Sequence, residues 1–325
     1  MTKNKHIVTV TMNPAVDLAC SVPDFTAGKV NRATGYQMNA AGKGVNIAVL
    51  LRKFNLPMTA TGFLGIDNAH IFEKLFQNQN IIDEFVRVPG ETRTGIKILD
   101  PNAKATTDIN LPGLVPTTEH INILLQTVER LAKAVAMVII GGSLPATVDP
   151  GIISELVTVI KANGAKAIVD TSGSALRNAV KALPYLIKPN DDELAEIVGH
   201  PLHKLDEIIT DARKMNKSGI ETVIVSLGSR GALFIKKDEE LFAKPPKVEV
   251  VSTVGAGDAM IGGMVAGMAL GLSFKEQVRL ATSLSAATVA QAGPSLDKLE
   301  NAKELEDLIA IEHINIEGGI SCQKL

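Results

Sequence analysis

The sequence contains no tryptophan, and aromatic residues make up only 3% of its 325 positions. Platforms that stack single-stranded nucleic acid need several exposed rings, so that class of binding is excluded. Cysteine is nearly absent too: Cys20 and Cys322 stand near opposite ends of the chain. Two thiols so placed exclude a disulfide framework and a cysteine-based structural zinc site, and point to reduced thiols in a cytoplasmic protein. There is no excess of either charge. Lys plus Arg is 33, Asp plus Glu is 35 and the formal net charge is −2, which gives no basic field for counterion-driven nucleic-acid binding. No stretch approaches the ~20 apolar residues of a membrane span. The run Ile7-Val8-Thr9-Val10 is too short, and too interrupted by threonine, for a signal core. Six histidines show no metal-ligand spacing, and neither H-E-x-x-H nor an EF-hand loop occurs.

What is present is an ordinary globular balance, 46% hydrophobic and 21% charged. At roughly 100–200 residues per domain the length suits one large α/β domain or two unequal ones. Short β-branched runs at 7–11, 59–64, 136–140, 165–170, 185–188 and 222–227 alternate with helical runs at 45–54, 117–134, 152–163, 175–182, 192–198 and 206–217. Continuous apolar strands between amphipathic helices predict a parallel sheet covered on both faces. A hairpin at 231–243 and two helices at 256–270 and 274–290 follow. The polar, glycine-containing stretch 21–39 breaks the alternation. With strand candidates around 86–110 it predicts a small second sheet outside the main layer.

The sharpest chemical signal is Ser252-Thr253-Val254-Gly255-Ala256-Gly257-Asp258, which opens into the 256–270 helix. Glycines let the turn bare its N–H groups, and a helix N-terminus attracts anions. An Asp beside such a site can take a proton from a hydroxyl, so the pieces fit phosphoryl transfer. Asp258 equally reads as a helix-start residue on spacing alone. Met260 breaks the dinucleotide fingerprint, and Gly42-Lys43 lacks the upstream glycine of a P-loop. A second glycine turn, Ala41-Gly42-Lys43-Gly44-Val45-Asn46, starts another helix; Lys43 suits a phosphate and Asn46 a sugar hydroxyl. Asp17 follows the first strand, on the edge where parallel sheets bind ligands. Asn190 and Glu193 read either as a capping box or as a pair that positions waters around magnesium. Arg93 follows a Pro-Gly turn and suits bidentate phosphate binding, although a solvated arginine reads as well. Gly141-Gly142-Ser143 ends another strand and could bring a hydroxyl to the same crevice.

In this order the motifs resemble the ribokinase-like (PfkB) carbohydrate kinase family, from Ile7 to about Gly293. The resemblance implies a three-layer α/β/α sandwich, residues 1–325 forming one kinase domain, with a β-sheet lid from about 15–39 and 86–111. It implies Asp258 as catalytic base and Gly255, Ala256 and Gly257 as the anion hole. Asp17, Gly42, Lys43, Asn46, Arg93 and Ser143 would hold the sugar, and Arg32 would reach a neighbouring subunit's site. Lys188, Asn190, Ser226, Gly228, Gly231 and Ser252 would line ATP. Residues around Ser283–Gln291 would border the adenine, and Asn190 with Glu193 would serve Mg2+ through water; a monovalent cation also fits the family.

Thr11-Met12-Asn13-Pro14-Ala15-Val16-Asp17 and Gly42-Lys43-Gly44-Val45-Asn46 resemble the subgroup that phosphorylates sugar phosphates, 1-phosphofructokinase and tagatose-6-phosphate kinase. Ile96-Lys97 and Asn110 lean to the former. The implied reaction is ATP-dependent phosphorylation of fructose 1-phosphate; tagatose 6-phosphate or fructose 6-phosphate as acceptor, and a non-catalytic sensor, are the alternatives. Three departures, Ala41 for a glycine, Thr94-Gly95 and Leu111-Pro112, fall near the sugar. Apolar residues at 22, 25, 30, 36 and 38 predict a homodimer joined through the lids.

Overall fold

A computed structural model describes residues 4–103, 105–291, 293, 296, 298–314 and 320–321. Cys322 lies outside the described residues. The strands are β1 (Asn4–Thr11), β2 (Ala15–Ser21), β3 (Gly35–Ala41), β4 (Met58–Gly65), β5 (Ile81–Asp83), β6 (Val86–Val88), β7 (Thr94–Asp100), β8 (Ala105–Asn110), β9 (Val135–Gly141), β10 (Lys166–Asp170), β11 (Leu186–Ile187), β12 (Thr222–Ser226), β13 (Ala232–Lys236), β14 (Glu239–Lys244), β15 (Ala310–Ile314) and β16 (Ile320–Ser321). The helices are α1 (Lys43–Lys53), α2 (His70–Gln79), α3 (Thr118–Ala132), α4 (Ile152–Ala162), α5 (Gly173–Lys181), α6 (Asp191–Val198), α7 (Leu205–Lys217), α8 (Ala256–Leu270), α9 (Phe274–Val289) and α10 (Leu299–Glu306).

The main sheet runs β16-β15-β14-β13-β12-β11-β10-β9-β1-β4-β5. From β12 to β5 its neighbours are parallel; from β12 to β16 they are antiparallel. Alternating strand residues divide between two cores. Ile7, Met137, Ile139, Ile168, Leu186 and Ile224 pack under α1, α2, α8, α9 and α10. Val8, Val138, Ile140, Val169, Ile187 and Val223 pack under α3 to α7. Strands buried on both faces need apolar or β-branched residues at nearly every position, and here Thr9, Thr11, Thr59 and Thr61 are the buried polar ones among β1 and β4. The result is the three-layer sandwich expected from the sequence. No helix among the described residues is long and apolar enough to cross a membrane.

The second sheet has the order β3-β2-β7-β8. Its register sorts its side chains. Leu18 stands opposite Met38 and Ile96, and Ile96 opposite Ile109, so these four share one face. Asp17 stands opposite Asn39 and Gly95, and Lys97 opposite Asp108, on the other face. The expected lid block 86–111 needs one correction. Val86–Val88 pairs in parallel with β4 and belongs beside the main sheet. Val86 and Val88 are buried in its core, and that burial outweighs their closeness in sequence to β7.

Candidate functional site

The parallel strands β1, β9, β10, β11 and β12 all point their carboxyl ends to one edge, and the site gathers there. Helix α8 starts at this edge. Gly255, its N-cap, has φ +85°, a left-handed conformation that costs glycine little. Asp258, in the first turn, is buried, and Asn46 from α1 donates a 2.8 Å hydrogen bond to its Oδ2. Burial pushes the Asp258 carboxyl up to about 6; Lys43 and Lys188 pull against that and Asp170 adds to it. A carboxylate held near pH 6 in the first turn of a helix can accept a proton and lie beside the helix N-terminus where an anion develops.

Below Asp258, Lys43 Nζ lies 3.0 Å from Asp170 Oδ2 and Lys188 Nζ 3.3 Å from Asp170 Oδ1. A Cβ built on Gly257 would sit 3.1 Å from Lys188 Nζ, so the ammonium underlies the glycine turn. Gly44 is equally constrained: a Cβ there would fall 2.3 Å from Thr11 Oγ1, and the bare backbone lets α1 start against β1. Gly42 has φ +137° and lies against Thr11 and Pro14.

Opposite this floor stands the polar face of the second sheet. Arg93 donates to Asn110 Oδ1 at 3.1 Å and to the Asn13 carbonyl at 3.4 Å. Asn13 in turn donates to Ser143 Oγ at 3.1 Å, which ties this sheet to the end of β9. Asp17 lies 3.7 Å from Lys97, which also pairs with Asp108. Burial raises the Asp17 carboxyl against the pull of Lys97 and Arg93, and burial lowers the Arg93 guanidinium. A Cβ on Gly95 would lie 2.7 Å from Asp17 Oδ1. The departure Thr94-Gly95 therefore makes room for that carboxylate.

The remaining residues line the far side. Asn190 and Glu193 form a reciprocal capping box at the start of α6, with Glu193 N–H donating to Asn190 Oδ1 and Asn190 N–H to Glu193 Oε2. Ser226 bridges to Asn190, and Gly228 and Gly231 flank a short turn with positive φ. Ser252 and Val251 donate backbone N–H bonds to Val289 at the end of α9. Ser283 is fully buried and bonds within its own helix, so only the 289–291 end of the expected adenine border lies beside Ser252. Arg32 stands apart: it is exposed, with no hydrogen-bond or ion-pair partner among the described residues.

Residues 7–302 match the pfkB family carbohydrate kinase profile. The chain belongs to this family. It is 38% identical over 308 residues to a 1-phosphofructokinase of Rhodobacter capsulatus, covering 94% of this chain and 98% of that one. It is 36% identical over 307 residues to a 1-phosphofructokinase of Vibrio cholerae, covering 94% and 96%. Its fold overlays phosphofructokinase-2 of Escherichia coli, solved with substrates and products, with TM-score 0.88 and 27% identity over 93% of this chain and 99% of that one. Membership of a kinase family implies ATP use.

Three residues stood only inside motifs and were given no role in the sequence reading of this family member. Asp170 ends β10, Asn13 links Arg93 to Ser143, and Lys97 faces Asp17. The signal for Asp170 was available: an acidic residue at the carboxyl end of a parallel strand. The place of Lys97 beside Asp17 becomes visible only once the β2–β7 register is known.

Proposed function

We propose that the chain transfers the γ-phosphoryl of ATP to fructose 1-phosphate, giving fructose 1,6-bisphosphate, with Asp258 as general base. The observation that carries this is Asp258 itself. It is a buried carboxyl near pH 6, hydrogen-bonded by Asn46 and set in the first turn of α8 behind the Gly255–Gly257 turn. Asp258 takes the proton of the attacking hydroxyl, and the N–H groups of Gly255, Ala256 and Gly257 receive the charge of the moving phosphoryl group. Asp17, Gly42, Asn46, Arg93 and Ser143 hold the sugar phosphate, with Lys43 beside it. Two features favour a charged acceptor over a plain sugar: Arg93 and Lys43 on the acceptor side, and relatives named 1-phosphofructokinase. A sensor would have no use for a base so placed.

Lys188, Asn190, Ser226, Gly228, Gly231 and Ser252 line the ATP side. No group of three or more His, Cys, Asp or Glu among the described residues could cage a metal. Glu193 Oε1 has no hydrogen-bond partner among them. That fits magnesium held mainly by the phosphates of ATP, with Asn190 and Glu193 holding its waters. Magnesium would neutralise charge on the phosphates. Phosphofructokinase-2 of Escherichia coli has been solved in complex with potassium, which is compatible with a monovalent cation here as well.

We read residues 1–325 as one kinase domain in which β2, β3, β7 and β8 form the lid. Of the apolar residues expected to join the lids, Val22 is buried, while Val30, Tyr36 and Met38 are exposed; the lid face formed by Leu18, Met38, Ile96 and Ile109 supports a homodimer joined through the lids, with Arg32 reaching the partner's site. We place this homodimer in the cytoplasm. A tetrameric inhibited form exists for phosphofructokinase-2 of Escherichia coli. The deciding experiment is a coupled ADP-release assay over fructose 1-phosphate, tagatose 6-phosphate, fructose 6-phosphate and ribose. The expected result is the highest kcat/KM on fructose 1-phosphate. Preference for tagatose 6-phosphate would move the chain to its sister activity, and turnover of ribose alone would overturn a phosphorylated acceptor.

A further inference from the structure

Asp170 is among the most buried charges of the molecule, with its side chain 1% exposed. Its two oxygens are divided between two lysines from different parts of the chain. Lys43 comes from the first turn of α1, on the acceptor side; Lys188 follows β11, on the nucleotide side. Asp170 itself ends β10, the strand next to β11 and two removed from β1 in the main sheet. A lone carboxylate at this depth would be costly. Two cations and their hydrogen bonds offset that cost.

We propose that Asp170 is the positioning residue of the transfer site, one buried carboxylate that fixes Lys43 and Lys188 on the two sides of the group being transferred. The sides named here rest on the proposed function. Without Asp170 the two ammonium groups would repel each other beneath the glycine turn, and each would be free to swing towards Asp258. The anchor thus does two things. It aims both lysines at incoming phosphate oxygens, and it keeps their charge from being spent on the base.

The electrostatics agree with the geometry. Burial acts to raise the Asp170 carboxyl, yet Lys188 and Lys43 outweigh it and hold the group below the ordinary carboxylate value, so it stays ionised. Burial acts to lower the Lys43 ammonium, and Asp170 and Asp258 outweigh it in turn. The charged groups that face Asp258 are Lys43 from α1, Asp170 from β10 and Lys188 after β11; Asn46 donates its hydrogen bond, and Glu193 from α6 acts on Lys43. Removing the Asp170 charge leaves two cations around Asp258 with no counter-charge. The base then ionises at lower pH and becomes weaker.

The test compares kcat/KM against pH for the parent, Asp170→Asn, Lys43→Met and the double variant, on whichever sugar phosphate the parent turns over. ATP and sugar-phosphate affinities are measured by calorimetry. Asp170→Asn is expected to move the acidic limb down by about one pH unit. It should also weaken both substrates and lower kcat at least about tenfold. Lys43→Met should move the limb up, and the double variant should lie below Lys43→Met. Asp170→Glu, which keeps the charge, should restore the limb. A purely structural Asp170 would lower kcat without moving the limb. An unmoved limb with unchanged affinities for both substrates overturns the proposal. Should Asp170→Asn fail to fold, Lys43→Met against the double variant isolates the same charge. A parent that turns over no sugar phosphate sinks the proposed function instead, and calorimetry with ATP then decides for Asp170: unchanged affinity in Asp170→Asn overturns it.

Discussion

The floor of the site and its lid are built on opposite terms. The floor is the carboxyl edge of a sheet buried on both faces, where Asp258, Asp170 and Lys188 are each less than a tenth exposed. The lid is four strands, of which β8 is exposed throughout and β3 almost throughout. In the floor, low polarisability of the surroundings makes each charge strong and its partner obligatory. In the lid, Lys97 lies 3.7 Å from Asp17 and 3.1 Å from Asp108, and Arg93 bonds to the neutral Asn110 and Asn13, with its side chain partly exposed. A buried floor suits the chemical step, which needs groups that do not reorganise. A half-open lid suits capture of a hydrophilic sugar phosphate, which has to enter and leave.

Replacing the base should give the sharpest break between the two regions. Asp258→Asn keeps size and removes proton acceptance, so kcat should fall by about 10²–10⁴. The parent's kcat/KM should decline as pH drops through about 6, where Asp258 takes up its proton. The same burial has the opposite sign for stability. The carboxyl rises from 3.8 unfolded to about 6 folded, so its stabilising protonated form is fully present below 3.8 and lost as pH rises through 6. Above that, the ionised group is a burden. Asp258→Asn should therefore melt higher than the parent at pH 8, by roughly 1–3 kcal/mol of added stability, and show no such gain at pH 4. A variant both active and no more stable would remove Asp258 from the role of buried base.

In the lid the expected effect is smaller and confined to one substrate. Arg93 presents a planar fork with partners in Asn110 and Asn13. Lysine keeps the charge but loses one of two parallel bonds. Arg93→Lys should raise KM for the sugar phosphate about tenfold and leave KM for ATP unchanged. Equal changes in both constants would place Arg93 in the floor's network rather than the lid's.

The same contrast explains what the sequence made legible. Strands of the floor are buried along nearly their whole length and β-branched or apolar at most positions, so β4, β9, β10 and β12 were readable within about a residue at each end. Helix α8 was readable to its last residue because Gly255 and Gly271 bracket it. The glycine turn and Asp258 are local in sequence and could be read as a unit. Asp170 could be read as a strand-end carboxylate but its role could not, because that role lies in Lys43 and Lys188, 127 and 18 residues away. The edges were missed for a different reason. Ile81–Asp83 is three residues long, and Ala310–Ile314 is half-exposed, so neither carries enough pattern to outweigh the turn residues around it. The lid block was drawn too wide because Val86–Val88 looks like any other short strand until its pairing with β4 is known.

The lid's outer face gives the smallest expected effect on catalysis and the clearest one on assembly. Leu18, Met38, Ile96 and Ile109 form a row across all four strands, with Met38 49% and Ile109 45% exposed and Tyr36 one register step away at 76%. An apolar row of this length on a solvent-facing sheet is an unstable surface for a monomer. A second lid laid across it would bury the row and leave the polar faces of both lids over their own sites. Leu18→Asp puts a charge in the middle of the row, on the side of β2 opposite Asp17, and so leaves the sugar-facing side intact. Sedimentation of the parent at micromolar concentration should report twice the 34.4 kDa chain mass, and Leu18→Asp should report one chain. The variant should keep kcat within a few-fold, because Asp258 and its partners belong to the floor, while loss of the partner's Arg32 should raise KM for the sugar phosphate. A parent that sediments as one chain with and without sugar phosphate would end the dimer and leave the apolar row to a lid that closes on its own domain.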